Sequence, residues 1–317
     1  MRLALAGDTM LGRGVAERLA EAPPQSLFAP ELVEAVATAD LCVVNLECCI
    51  SERGEPAPRR VFHFRAPPAA VEALAHLGVD CVTLANNHAL DFGPEALLDT
   101  FEHLSAAGIH WAGAGRDELE ARTPATVGIG ADRLRVIAFS DHPVEYAAGD
   151  DRPGIAFWDL AREPLPGWLS ESLDQGSDVP TLVAPHWGPN MTESPIPEVR
   201  RAAAALGESR AALVAGHSAH LFHGVAGRVL FDLGDFVDDY RVDPLLRNDL
   251  GLLWLVDLEP DGPVAIEALP LKLDYCHTRL ADGDDASWVA ERFVAACAAL
   301  GTTARGRDGR LAVDIRD

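Results

Sequence analysis

The sequence predicts an α/β fold, and three observations predict it. Apolar runs of strand character alternate with stretches of helical periodicity through the first half of the chain, at the spacing of βαβ units. Five of the apolar runs end in short motifs rich in Asp, Glu, Asn and His. The composition is globular, with 48% hydrophobic and 24% charged residues over 317 positions, which suffices to bury a core.

The elements follow in order. Residues 3–6 read as a short strand ending in Gly7-Asp8, and helical stretches cover 14–20 and 30–38. A second buried strand, 41–46, runs into Asn45-Leu46-Glu47, and the Arg/Pro-rich segment 53–60 is a loop. Residues 68–77 have helical periodicity with Pro68 at the first turn, where a missing N–H costs nothing. The strand 79–84 leads into Asn86-Asn87-His88, and the helix 94–107 is stopped by Gly108. A hairpin over 126–140 turns near Gly130-Ala131-Asp132, and 150–176 is loop and helix. The strand 179–184 leads into Pro185-His186-Trp187-Gly188, the helix 197–206 follows, and the strand 211–215 leads into Gly216-His217. Strands at 228–233, 252–258 and 264–271 and a closing helix at 287–300 complete the chain. No repeat or linker interrupts it. A single domain over 1–317 is expected, with a motif-bearing core to about residue 260 and a C-terminal strand and helix at 261–317.

Charge excludes some partners. A net charge of −23 repels a nucleic-acid backbone and an anionic membrane alike. Lys272 is the only lysine, which reads as compositional bias or a salt-adapted surface. The first residues are too short an apolar run for a signal peptide, and no apolar stretch reaches the length of a membrane span. Six cysteines without CxxC spacing read as reduced thiols, so a cytoplasmic location is expected.

The motifs at strand ends carry the chemistry. In open α/β sheets the carboxyl ends of the strands converge on one edge, where ligands bind. Gly7-Asp8, Asn45-Leu46-Glu47, Asn86-Asn87-His88, His186-Trp187-Gly188 and Gly216-His217-Ser218-Ala219-His220 all fall there. Two divalent cations roughly 3.5–4 Å apart need a carboxylate between them, and imidazoles and an amide oxygen can complete each shell. Such a mixed set suits manganese, zinc or iron better than calcium, which prefers oxygen alone.

The order Asp, Glu, Asn-His, His and His-x-x-His resembles the calcineurin-like metallophosphoesterases. Within them, Gly7-Asp8-Thr9-Met10-Leu11-Gly12-Arg13, Asn86-Asn87-His88-Ala89-Leu90-Asp91-Phe92-Gly93, His186-Trp187-Gly188 and Gly216-His217 are similar to the CapA branch, linked to poly-γ-glutamate capsule synthesis. The resemblance implies a four-layer αββα sandwich of two mixed sheets flanked by helices. It also implies that Asp8, Glu47 and His220 hold one metal, that Glu47 bridges to a second, and that Asn87, His186 and His217 complete that second shell. His88 would protonate a leaving group or steady an oxyanion, oriented by Asp91. Asn45, Asn86, Arg13 and Trp187 are assigned to substrate contact. Arg13 could equally make a surface ion pair, and Trp187 could pack over the metal edge.

The chain departs from the wider superfamily and from that branch in places. Asp8-Thr9-Met10 stands where the wider superfamily often has Asp-x-His, a feature shared with the CapA branch, and this thins one shell. Pro189-Asn190 follows the His-Trp-Gly motif, Ser218-Ala219 stands inside the last histidine motif, and Leu233-Gly234-Asp235-Phe236 replaces Leu-Gly-Asn-Phe. The expected activity is metal-assisted hydrolysis of a phosphoester or γ-glutamyl-type bond in an anionic small molecule or polymer, alone or with capsule-synthesis partners. The rival expectation is a non-catalytic accessory subunit of a polymer-synthesis or ligase complex.

Overall fold

The computed structural model describes residues 1–129, 132–175, 179–307 and 309–315. Two mixed sheets stack face to face, with helices outside each. The first has ten strands. Its parallel half runs Arg2–Thr9, Leu41–Leu46, Cys81–Thr83 and His110–Ala112. On the other side of Arg2–Thr9 the order continues antiparallel through Leu250–Glu259, Gly262–Asp274, Arg310–Val313 and Ala304–Arg307. Two short strands are added beside this path: Asp235–Val237 lies parallel to the end of Arg2–Thr9, and His277–Leu280 pairs with Gly262–Asp274. The second sheet has six strands in the order Val225–Ala226, Val229–Leu230, Leu213–Ala215, Thr181–His186, Asp132–Ser140, Ala125–Ile129.

Strand alternation explains the layers. Leu134, Val136 and Ala138, Leu182 and Ala184, and Leu213 and Ala215 point inward and share one core with the first sheet. The residues between them, Ile137, Phe139, Val183 and Val214, point outward. There they meet Leu169 and Leu173 of the helix Gly167–Asp174 and Val199, Ala202 and Leu206 of the helix Pro197–Gly207. Side chains of successive strand residues point to opposite faces, so one sequence register supplies both cores. The strands Arg2–Thr9, Leu41–Leu46 and Cys81–Thr83 of the first sheet are buried on both faces, and helices Pro30–Val36, Ala70–Leu77 and Gly93–Ala106 join its core through Leu32, Leu74 and Phe101. This is the αββα arrangement that the resemblance implied.

Several element boundaries differ from the sequence expectation. The closing helix begins at Gly283 rather than at residue 287, with Asp284 and Asp285 in its first turn, where carboxylates favour the positive end of the helix dipole. The expected strand 228–233 keeps only Val229–Leu230, because Leu233 N turns to Gly216 O. The strands His277–Leu280, Ala304–Arg307 and Arg310–Val313 were not expected. Ala304–Arg307 is an edge strand of mostly exposed residues, and its two arginines mask the hydrophobic alternation that marks a strand. The expected hairpin forms from Ala125–Ile129 and Asp132–Ser140, while Gly130 and Ala131 of its turn, like Gly176 at the end of the expected 150–176 segment, lie outside the described residues. All six cysteines are buried and unpaired. Among the described residues no helix is long and apolar enough to cross a membrane.

One glycine fixes the approach of the two segments that end at the site. A Cβ on Gly7 would sit 1.7 Å from Gly234 O, and Asp8 N donates to that same carbonyl at 2.9 Å. Gly7→Ala must push two backbones apart in a packed interior. It is expected to cost about 1–3 kcal/mol or more, measured as a drop in the denaturant midpoint relative to a surface Gly→Ala control such as Gly207→Ala.

Candidate metal centre

Five strand ends deliver the polar side chains to one place. Asp8 is the next-to-last residue of Arg2–Thr9, whose register shifts there because its end is shared between Leu41–Leu46 and Asp235–Val237. Asn45 and Glu47 are two residues apart at the end of the neighbouring strand, so both face the same side. Asn87 and His88 follow Cys81–Thr83, His186 ends Thr181–His186, and His217 and His220 follow Leu213–Ala215. A parallel bridge between His186 and His217 aligns the last two strand ends. The first sheet thus supplies the acids, the amide and His88, and the second supplies the imidazoles of His186, His217 and His220.

Asp8 is the hub. Its Oδ1 accepts from Asn45 Nδ2 at 2.7 Å and lies 3.3 Å from His217 Nδ1, while Oδ2 accepts from Ser218 N at 3.2 Å and lies 3.4 Å from His220 Nδ1. Asp8, Glu47 and His186 each bring a ligand-type atom within 4.8 Å of the others, and so do Asp8, His220 and Asp235. Asp8 is the carboxylate common to both groups, and Glu47 belongs to the one with His186. Ser218 and His220 hold positive φ values of 105° and 58°, a backbone strain that shapes the loop carrying both imidazoles.

Buried polar atoms ordinarily find a hydrogen-bond partner. Here Glu47 Oε1 and Oε2, Asn87 Oδ1, His186 Nε2, His217 Nδ1 and His220 Nε2 are buried and have none. These atoms belong to five of the six side chains expected to bind metal, and the sixth is Asp8 at their centre. Carboxylate, amide and imidazole donors of this kind fit divalent transition metals, so the residues present match the group the family implies.

His88 forms a second arm. Its Nδ1 lies 2.6 Å from Asp91 Oδ2, its Nε2 faces Glu47 Oε1 at 3.7 Å, and Phe64 packs edge-on against its ring at 4.6 Å. Asp91 is fully buried and fully engaged: Oδ2 also accepts from Phe64 N at 2.8 Å, and Oδ1 accepts from Arg60 Nη1 and Tyr146 Oη, each at 3.2 Å. A carboxylate held this firmly fixes the imidazole's tautomer and direction.

Burial sets the charge states. Burial pushes the Glu47 carboxyl well up, and the adjacent Asp8 adds to the effect. Burial also opposes the Asp8 carboxylate, yet His217, His220 and His186 outweigh it and hold Asp8 well below the usual range. Burial drives His186 well below its ordinary value, and it lowers His88 against the pull of Asp91. In the metal-free site the proton therefore resides on Glu47, while His186 is neutral. Metal must displace that proton, so Mn²⁺ affinity is expected to tighten as pH rises from about 6 to 8. Isothermal titration across that range measures it, and an affinity independent of pH would contradict the assignment of Glu47.

Not every expected contact lies where it was expected. Asn45 and Asn86 are fully buried and committed to protein groups. Asn45 Oδ1 accepts from Thr83 Oγ1 at 3.0 Å and Asn86 Nδ2 at 3.2 Å, and Asn86 Oδ1 accepts from His88 N at 3.0 Å. Both brace the ligands from behind. Trp187 points to the opposite face from His186, packs among the outer helices, and donates from Nε1 to Phe231 O at 2.9 Å. Strict alternation at a strand end leaves it no other direction. Arg13 stands at the mouth, half-exposed, with Nε 3.1 Å from Asp239 and its guanidinium 5.1, 5.3 and 5.9 Å from the rings of Phe62, Phe64 and Tyr240. Sequence reasoning missed Arg60, Tyr146, Phe64 and Tyr240, which reach the site from loops without any motif.

Comparison with known proteins fits this geometry. The family model described as bacterial capsule synthesis protein PGA_cap matches residues 2–240. The chain belongs to that family. A relative described as a probable polyglutamine synthesis accessory protein of Mycobacterium tuberculosis is 31% identical, over 90% of this chain and 88% of its own. The capsule biosynthesis protein CapA of Bacillus anthracis is 24% identical, over 86% of this chain and 67% of its own. Among solved structures, a hypothetical protein from Thermus thermophilus superposes with a TM-score of 0.50 at 17% identity, covering 86% of this chain and 100% of that one. The PGA_cap match spans every ligand motif and ends just after Asp239, so the C-terminal hairpin and helix lie beyond it.

Proposed function

We propose that the protein is a metal-dependent hydrolase that cleaves a phosphoester or γ-glutamyl-type bond in an anionic substrate, in service of capsule or poly-γ-glutamate synthesis. One observation carries the reading: ligand-type atoms of Glu47, Asn87, His186, His217 and His220 are buried without partners around Asp8. An interior that leaves such atoms unmatched is built for something else to match them.

Two divalent cations held there would supply Lewis-acid polarisation of the scissile group. The chain's own residues do the rest. Asn45 and Ser218 N fix Asp8, and Asp91 fixes His88 with its bare Nε2 turned towards Glu47. His88 can thus exchange a proton with a group bound over Glu47. Arg13 stands where a guanidinium can grip an anionic group at the entrance. The PGA_cap membership supports the capsule-linked role, and the name of the mycobacterial relative supports a second reading, an accessory subunit without turnover.

Assays of the Mn²⁺-loaded protein on a generic aryl phosphate and on a γ-glutamyl anilide separate the two. Turnover that a chelator removes and Mn²⁺ restores is the expected result. A metal-loaded protein inert on both substrates leaves the accessory reading.

A further inference from the structure

Asp235 lies outside the ligand set assigned above. It is the first residue of Asp235–Val237 and sits directly opposite Asp8 on the neighbouring parallel strand. Its side chain is buried. Its Oδ1 lies 2.8 Å from His220 Nδ1, and its carboxyl also lies against that of Asp238, with no N–H donor at Oδ2. His220 Nδ1 lies 3.4 Å from Asp8 Oδ2 as well, so one nitrogen and an oxygen from each acid converge on one point. Two carboxylates abreast on adjacent strands repel, more strongly the further they are from water. No lysine or arginine is paired with Asp8 or Asp235 among the described residues, and the one imidazole between them carries at most a single charge. A divalent cation between them would balance the pair. The need is local too, because Thr9 and Met10, next to Asp8, offer no imidazole or carboxylate to complete a shell on that side.

We propose that Asp235 is itself a metal ligand, contributing a carboxylate oxygen to a cation that it shares with Asp8 and with Nδ1 of His220, groups whose ligand-type atoms lie within 4.8 Å of one another. This rests on the metal-dependent reading above and adds a carboxylate to one of its two shells. The shell on this side then consists of three carboxylates, from Asp8, Glu47 and Asp235, and an imidazole, a harder and more anionic set than the imidazole- and amide-rich shell formed by Asn87, His186 and His217. The two positions consequently differ in preference, the Asp235 side favouring Mn²⁺ and the other side Zn²⁺.

The test is metal stoichiometry, read without any substrate. Metal-depleted wild-type protein and Asp235→Asn are titrated with Mn²⁺ in a calorimeter, and bound metal is counted by elemental analysis after gel filtration. Asparagine keeps the shape of the side chain but removes the charge that draws the cation and counters the repulsion from Asp8. Two Mn²⁺ per wild-type chain and one per Asp235→Asn chain is the expected result, with the remaining affinity within a few-fold of wild type. Two ions bound to both proteins would overturn the proposal and leave Asp235 as the group that merely orients His220. No ion bound to wild type would remove the metal-dependent reading itself, a distinguishable failure. Circular dichroism checks that the variant folds, and Asp235→Ser, smaller and still polar, serves for the same count if it does not.

Discussion

His88→Ala is expected to lower turnover of an aryl phosphate about 10²–10⁴-fold while leaving bound metal unchanged, the range typical of losing one positioned proton-transfer group. The expectation follows from where the ring's two nitrogens go. Nδ1 is committed to Asp91 at 2.6 Å, and Nε2 faces Glu47 without belonging to either group of converging ligand atoms. Burial lowers the pKa of His88, so near neutral pH its Nε2 is unprotonated and accepts. If it acts as an acid, its protonated form must be populated, and kcat should fall as pH rises through that lowered value. Nearby cations would push the limb further to the acid side. A variant that loses metal along with turnover would identify His88 as a ligand instead.

Glu47→Met is expected to act in opposite directions on stability and activity. Both carboxyl oxygens of Glu47 are buried and unpartnered, and the residue has no solvent exposure. An unsatisfied buried polar group costs about 1–3 kcal/mol, so the apolar isostere should stabilise the metal-free protein by up to about that amount. The sign with pH follows from the raised pKa of Glu47. Below its unfolded pKa the group is protonated in both states, and its contribution is fully present. As pH rises towards the folded pKa, the unfolded chain ionises freely while the folded one does not, and metal-free stability is lost. The gain from Glu47→Met should therefore grow between about pH 5 and 8. With Mn²⁺ present the order reverses, since only the wild type gains from binding. Melting curves with and without Mn²⁺ read both effects, and a variant less stable than wild type in the absence of metal would show that Glu47 has a partner after all.

Much of this site was legible because β-structure has a period of two and ends where polar residues begin. Asn45 and Glu47 could be placed on one face by counting, as could the opposed directions of His186 and Trp187. The assignment of Trp187 to substrate neglected that count, and its indole lies instead against Phe231 O. The run Asp232, Asp235, Asp238 and Asp239 reads as a mostly solvated acidic loop with Asp235 as its exception; Asp235 is buried, but so is Asp232, which ties Ala219 N and Gly234 N together at 2.9 Å each. Arg60 and Tyr146 were illegible for another reason. They meet Asp91 from 31 and 55 residues away, and no local pattern encodes such a meeting. The fold was read more easily than its edges, because buried parallel strands are continuous apolar runs, while the edge strand Ala304–Arg307 is mostly polar.

The division of labour between the sheets has a mechanical corollary. Acids from one layer and imidazoles from the other meet at one rim, joined by Ser218 N to Asp8, His220 Nδ1 to Asp235 at 2.8 Å and Asn45 to His186 at 3.4 Å. Bound cations would rivet the two layers together at this rim, and losing them would let the rim gape while the shared apolar interior stays shut. Metal supply would then govern how readily the mouth breathes, quite apart from any bond it helps to break.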